Sequence, residues 1–306
     1  MRLCCGHGLD TQPDSRARCC RARDAGSGGA DDLLTPAPAA AAPEAPVALI
    51  TGATSGIGLA IAHELAADGY RLILVARDLE RLDATAAMLR HRYRTVCEVL
   101  SCDLSRVDGD ATIGGIRQVT DLIDSRRVDV VVNNAGYGLR TSLLRTDPTE
   151  LAKLDTVLIR AVEDISWHAA HAMRARGRGG IVNIASMAAV TTMGTYAGAK
   201  SHVLIFTESL AAELAGTGVT ATAVLPGFVR TEFHDRMAVD MSHLLALAWV
   251  DVDTVARQGL RDARAGKVVS VPGVQYKLAY AAAQVLPRPL IRFASNGFRF
   301  TRQSRC

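Results

Sequence analysis

The chain has 306 residues, 49% of them hydrophobic, and a net charge of +4. That is enough apolar material for one large buried core, and too mild a charge to argue for nucleic acid as a partner. No stretch reaches the roughly 18 to 20 apolar residues of a membrane span, and residues 1–46 contain no continuous apolar segment of the secretory-signal kind.

Residues 1–46 are low in complexity, with Gly26-Ser27-Gly28-Gly29 followed by alanines between Pro36 and Pro46. They hold few large apolar residues, so a disordered arm, or translation from an early start codon, is expected. The cysteines number seven. Cys4-Cys5 and Cys19-Cys20 are adjacent pairs, not the spaced pairs that zinc takes, so neither a metal site nor a disulfide framework is expected. A reducing cytoplasm is the expected setting.

From Val47 onward apolar strands alternate with helical segments. Strands are predicted at 47–51, 71–76, 96–100, 128–132, 181–186, 220–225 and 268–271. Helices are predicted at 79–92, 110–125, 149–176, 196–215 and 252–265, with another from Leu59. Strands rich in Val, Ile and Leu without alternation suit burial on both faces, and intervening helices imply parallel crossovers. The expected fold is α/β, a three-layer doubly wound parallel sheet, with a domain over 47–273 and an extension over 274–306. Ligands of such sheets bind at the carboxyl ends of the strands.

The first strand runs into Thr51-Gly52-Ala53-Thr54-Ser55-Gly56-Ile57-Gly58 and then a helix. Glycines allow a sharp turn and close approach of a phosphate, and the helix N-terminus offers free N–H groups and the positive end of its dipole. This is a dinucleotide grip, with Gly52, Thr54, Ser55, Gly56, Ile57 and Gly58 as candidates. The second strand ends at Arg77, placed to meet a 2′-phosphate, which favours NADP(H) over NAD(H). Asp103 and Leu104 follow the third strand, where an adenine would lie. Asn133, Asn134, Ala135 and Gly136 close the fourth, where small residues admit ribose and nicotinamide.

Tyr196 and Lys200 are four apart and share a helix face. A phenol titrates near pH 10, and a neighbouring ammonium is expected to lower that value. A phenol so tuned exchanges a proton with a carbonyl oxygen while hydride moves at carbon. Ser186, closing the fifth strand, offers a hydroxyl to the same oxygen.

With Pro226-Gly227-Phe228-Val229-Arg230-Thr231, these pieces stand in an order that resembles the short-chain dehydrogenase/reductases over roughly Val47 to Val271. The resemblance implies a seven-stranded Rossmann sheet and NAD(P)-dependent oxidoreduction of a hydroxyl/carbonyl pair. It implies Tyr196 as acid–base, Lys200 on the nicotinamide ribose and Ser186 orienting the carbonyl. It also implies that Gly227, Val229 and Thr231, after Pro226, cradle the nicotinamide amide, and that Arg77 matches the NADP-preferring members. Family members commonly associate through the two long helices, so a homodimer or homotetramer is implied.

Two departures stand out. Val157 falls where family members usually carry an Asn that holds a proton-relay water, so slower turnover is expected. The Met187–Thr195 connection is a few residues shorter than usual, which leaves the Ser186–Tyr196 geometry open. The alternative to an enzyme is a non-catalytic NADP(H)-binding regulatory protein.

Tyr137–Arg145 and Phe233–Val250 flank the nicotinamide position, and the second is rich in Met, Leu and aromatic residues. It reads either as a lid over a lipophilic small-molecule substrate or as a helix packed on the core. His234 and His243 are expected on its surface. After Asp262 there is no acid, while Arg264, Lys267, Lys277, Arg288, Arg292, Arg299, Arg302 and Arg305 follow. Pro287 and Pro289 are expected to break Tyr276–Ala294 into two short helices. The segment reads as a solvated tail on a packed helix, or as docked on the domain, a partner subunit or an anionic membrane surface.

Overall fold

Ala48, Leu49 and Ile50 are fully buried because the first strand, β1 (Val47–Thr51), lies mid-sheet with a parallel neighbour on each side. A computed structural model describes residues 45–110, 113–139, 141–232 and 248–296. Its remaining parallel strands are β2 (Arg71–Ala76), β3 (Cys97–Ser101), β4 (Val130–Asn133), β5 (Gly179–Ile184), β6 (Val219–Val224) and β9 (Val269–Ser270). The seven-stranded order is β3-β2-β1-β4-β5-β6-β9. The chain therefore runs outward one way from β1 and the other way from β4. The crevice between the carboxyl ends of these two strands is the switch point of the sheet.

Alternate strand residues feed opposite layers. Ala48, Ile50, Leu72 and Leu74 pack under α1 (Gly56–Ala67), α2 (Leu79–Tyr93) and α7 (Val252–Arg264). Leu49, Ile73, Val75 and Val131 pack under α3 (Ile116–Ser125), α4 (Pro148–Asp155) and α5 (Ala161–Arg176). Helix α6 (Gly194–Glu213) covers β6 beside α5. The three-layer doubly wound sheet expected from the sequence is the fold observed.

Three local differences have physical causes. The helix expected from 110 starts at Ile116, because Gly114 and Gly115 are poor helix formers. Gly114 instead bridges to Cys102 beside β3. The helix expected over 149–176 is interrupted by a π turn at Thr156–Arg160, a stretch with three β-branched residues, Thr156, Val157 and Ile159. The third is a short parallel pair, β7 (Phe228–Val229) with β8 (Trp249–Val250), which the predicted elements did not include. The chain beyond the sheet forms two helices divided near Pro287, α8 (Val274–Val285) and α9 (Arg288–Asn296). Among the described residues no helix is long and apolar enough to cross a membrane.

Candidate active site

The carboxyl ends of the central strands open into a cleft of about 1340 Å³. Ordinary small-molecule pockets hold roughly 300–1,000 Å³, so this one has room for a long ligand and a second molecule beside it.

The nucleotide half is built on the turn after β1. Gly52 and Gly56 have positive φ, +65° and +56°, which side chains rarely tolerate. A Cβ on Gly52 would sit 2.9 Å from the Ala135 backbone, so the two loops approach closely only because it is glycine. Asp78, Asp147 and Asp251 cap α2, α4 and α7 with their side chains, whereas Ser55 makes no such bond at α1. The first N–H groups of α1 and its positive dipole end are thus left to the cleft, which Ser55, Gly56 and Ile57 line. An anionic pyrophosphate fits that arrangement.

Thr51 locks this turn to the one after β4, a role absent from the sequence reading. Its Oγ1 accepts from the Asn134 and Ala135 amides, both at 3.0 Å. Asn134 Nδ2 returns bonds to the Thr51 and Gly52 carbonyl oxygens at 3.0 and 3.1 Å. The available signal was a hydroxyl on the last residue of β1.

Two of the expected cofactor residues do not line the cleft. Gly58 faces the turn itself, where a Cβ would lie 2.3 Å from both Asn134 Nδ2 and Gly52 O, so it serves close packing. Asn133 points into the core, where its Nδ2 donates to Ser166 Oγ (3.0 Å) and Asn183 Oδ1 (2.9 Å). Asn183 in turn donates to Thr207 Oγ1, so a buried polar network ties β4, α5, β5 and α6 together. Buried amides seek such partners, and the register pairs Asn133 directly with Asn183.

Gly52, Thr54, Arg77, Asp103, Leu104, Asn134, Ala135 and Gly136 all line the cleft. Arg77 is exposed there and has no ion-pair partner among the described residues. Asp103 accepts from the Ser105 amide at 3.0 Å, which shapes the loop after β3.

In the other half, Ser186, Tyr196 and Lys200 are gathered. The Tyr196 hydroxyl is hydrogen-bonded to Ser186. The short Met187–Thr195 connection achieves this with a 3₁₀ turn at Met187–Val190, and Ser186 Oγ also accepts from the Ala188 amide at 3.1 Å. Lys200, 5% exposed, donates to the Ile184 carbonyl oxygen at 2.6 Å, and its Nζ lies 5.8 Å from the Tyr196 ring centre. Gly136 lets the β4 loop pack on Leu158, whose side chain a Cβ there would meet at 2.9 Å, and Lys200 Nζ lies nearby. Burial pushes the phenol of Tyr196 well above its ordinary value, with the Ser186 bond pulling the other way. Burial also pulls Lys200 down to about 8. The expected lowering of the phenol by the ammonium is therefore outweighed here by desolvation.

Val157 is 8% exposed and lines the cleft from the π turn. Thr156 does not replace the missing amide, because its hydroxyl turns back to the Ala152 carbonyl oxygen at 2.8 Å. Pro226, Gly227, Val229 and Thr231 line the cleft. Gly227 is pressed against the Tyr276 ring, which a Cβ would reach at 2.0 Å. The Tyr276 hydroxyl accepts from the Phe228 amide (3.0 Å) and donates to the Ala248 carbonyl oxygen (2.6 Å).

Helices α8 and α9 and the turn between them also line the cleft, through Ala279, Ala283, Leu286, Leu290 and Ile291. Ser295 Oγ, on α9, accepts from the Thr192 amide at 3.2 Å and so stitches α9 to the Ser186–Tyr196 connection. Docking on the domain was one of the placements the sequence left open for this segment, and the described part of it takes that placement. Tyr137 and Leu139 line the opposite wall. The lid residues Phe233 to Leu247, including His234 and His243, lie outside the described residues, as do Cys4, Cys5, His7, Cys19 and Cys20. Among the described residues no cluster of three or more His, Cys, Asp or Glu is arranged to hold a metal.

The family profile described as short chain dehydrogenase matches residues 46–241. The protein named ketoacyl reductase 1 of the granaticin polyketide synthase of Streptomyces violaceoruber is 39% identical over 204 residues, 63% of this chain and 71% of that one. The short-chain dehydrogenase from Sphingobium yanoikuyae, solved in complex with NADPH, superposes with a TM-score of 0.71 at 29% identity, covering 85% of this chain and 98% of that one. The bulky-bulky ketone specific alcohol dehydrogenase from Comamonas testosteroni superposes with a TM-score of 0.68 at 25% identity, covering 85% and 96%.

Proposed function

The chain belongs to the short-chain dehydrogenase/reductase family and is an oxidoreductase of the CH–OH type; from that premise we propose that it interconverts a lipophilic carbonyl compound and its alcohol with NADP(H). The observation that carries the reading is the Ser186–Tyr196 bond with Lys200 beside it, in the cleft that also receives the uncapped start of α1.

NADPH, when bound, supplies the hydride. Gly52, Thr54, Ser55, Gly56 and Ile57 would hold its pyrophosphate, and Arg77 its 2′-phosphate. Asp103 and Leu104 would border the adenine. Asn134, Ala135 and Gly136, with Pro226, Gly227, Val229 and Thr231, would border the nicotinamide ribose and amide. The relative from Sphingobium yanoikuyae carries NADPH, which supports this class of nucleotide.

Tyr196 gives a proton to the carbonyl oxygen, while Ser186 donates a hydrogen bond to the same atom. A phenol held protonated by burial is a donor at neutral pH, which suits the reducing direction. Lys200 Nζ carries donors beyond the one it gives Ile184, and these suit ribose hydroxyls. The Leu286, Leu290 and Ile291 wall and Val157 favour an apolar substrate body. The ketone specificity in the name of the Comamonas relative supports the same substrate class.

The catalytic domain runs over 47–273, with 274–306 as the extension, of which residues between Tyr276 and Ser295 line the cleft. A homodimer or homotetramer through α5 and α6 is part of the reading: Trp167 and Ile205 on these helices are 56% and 57% exposed. A cytoplasmic setting agrees with free thiols at Cys97 and Cys102. The non-catalytic alternative draws on Val157. NADPH oxidation against a ketone panel separates the two readings. We expect turnover in the wild type, with loss of about 10²–10⁴-fold in Tyr196→Phe and retained NADPH binding. Equal rates in the two proteins would remove Tyr196 from the chemistry.

A further inference from the structure

Helix α8 has no buried residue, and Val274, Leu278 and Val285 are 71%, 68% and 81% exposed. On α9, Phe293 is 80% exposed, while Ile291 and Ser295 face inward. Large apolar side chains exposed on consecutive helices are normally covered by something. Lys277, Arg288 and Arg292 are exposed among them, and no acid follows Asp262. The inner sides of the same helices wall the substrate half of the cleft through Ala283, Leu286 and Ile291.

We propose that α8 and α9 dock together on an anionic lipid surface, which places the substrate half of the cleft against the bilayer. Charge decides between occupants. A two-fold contact through this face would set Lys277, Arg288 and Arg292 against their own kind, with no acid on either helix to answer them. A leaflet of anionic headgroups answers the cations and accepts the apolar residues between them. Neither helix can span the bilayer, so the contact is interfacial. The consequence for substrate access rests on the lipophilic-substrate reading; the docking itself does not.

Full-length protein is sedimented with vesicles of phosphatidylcholine, with and without phosphatidylserine. It pellets with the anionic vesicles and is released by salt. Arg288→Ala and Arg292→Ala each lower binding about five-fold. Val285→Ser with Phe293→Ser, both on exposed side chains, lowers it further with an unchanged melting temperature. Equal pelleting with neutral vesicles, or none with either, overturns the proposal. So does light scattering in which the Val285→Ser, Phe293→Ser protein falls to a smaller oligomer than the wild type, since the face then belongs to a second copy. Sedimentation needs no turnover, so loss of the ketone-reductase reading would leave this result standing.

Discussion

Arg81 and Glu232 form a forked ion pair, Nη2 to Oε1 at 3.0 Å and Nη1 to Oε2 at 3.3 Å. The same guanidinium donates to the Thr54 carbonyl oxygen at 3.3 Å, inside the glycine turn. Arg81 lies on α2 four residues beyond Arg77, and both line the cleft. A 2′-phosphate would therefore compete with Glu232 for Arg81. The pair is partly exposed, so its worth is only about 0–1 kcal/mol.

Glu232→Gln should free Arg81 and tighten NADPH binding by about two- to five-fold, leaving NADH unchanged. Arg77→Ala should weaken NADPH by about ten-fold or more, again sparing NADH. Nucleotide fluorescence titrations read both. Parallel changes for the two nucleotides would remove the 2′-phosphate from the explanation.

Val157→Asn places an amide where the cleft already admits solvent. We expect turnover to rise, by up to about ten-fold, because a polar group can hold a relay water that a valine cannot. An unchanged or lower kcat counts against the relay argument.

Lys200 makes stability depend on pH. Its folded-state value is depressed from 10.5 to about 8. Below pH 8 it is protonated both folded and unfolded. Between about pH 8 and 10 the unfolded chain binds the extra proton, so stability rises with pH, by up to about 1.4 kcal/mol per unit. The raised phenol of Tyr196 acts in the opposite sense only above pH 10, where the unfolded phenol ionises first. Urea unfolding of cofactor-free protein should show this rise between pH 8 and 10, and Lys200→Met should flatten it. Matching slopes in the two proteins would contradict the buried ammonium.

Tyr276→Phe deletes the hydroxyl that joins Phe228 to Ala248. Leaving those backbone groups without it should cost about 1–3 kcal/mol. Because Phe228 precedes Val229, KM for the nucleotide should rise more than KM for the ketone. A stability loss with no change in nucleotide KM would limit Tyr276 to scaffolding.

Strand positions were legible because buried parallel strands are continuous apolar runs. β1 and β2 fall where expected, and the others within a few residues. The π turn was not legible, since one widened turn leaves a helical apolar pattern nearly intact. Asn133 was misplaced for a different reason. Local order put it beside Asn134 on the cleft, whereas strand alternation and the register with Asn183 turn it into the core.

From its sequence alone, this chain is bound to a parallel nucleotide-binding sheet, because glycine spacing and apolar runs act over a few residues and need no distant partner. Only the tertiary structure decided that Ser186 meets Tyr196, that burial overrides the ammonium beside the phenol, and that the basic C-terminal helices line the cleft. Those outcomes depend on desolvation and on contacts between residues far apart in the chain, which no local pattern records.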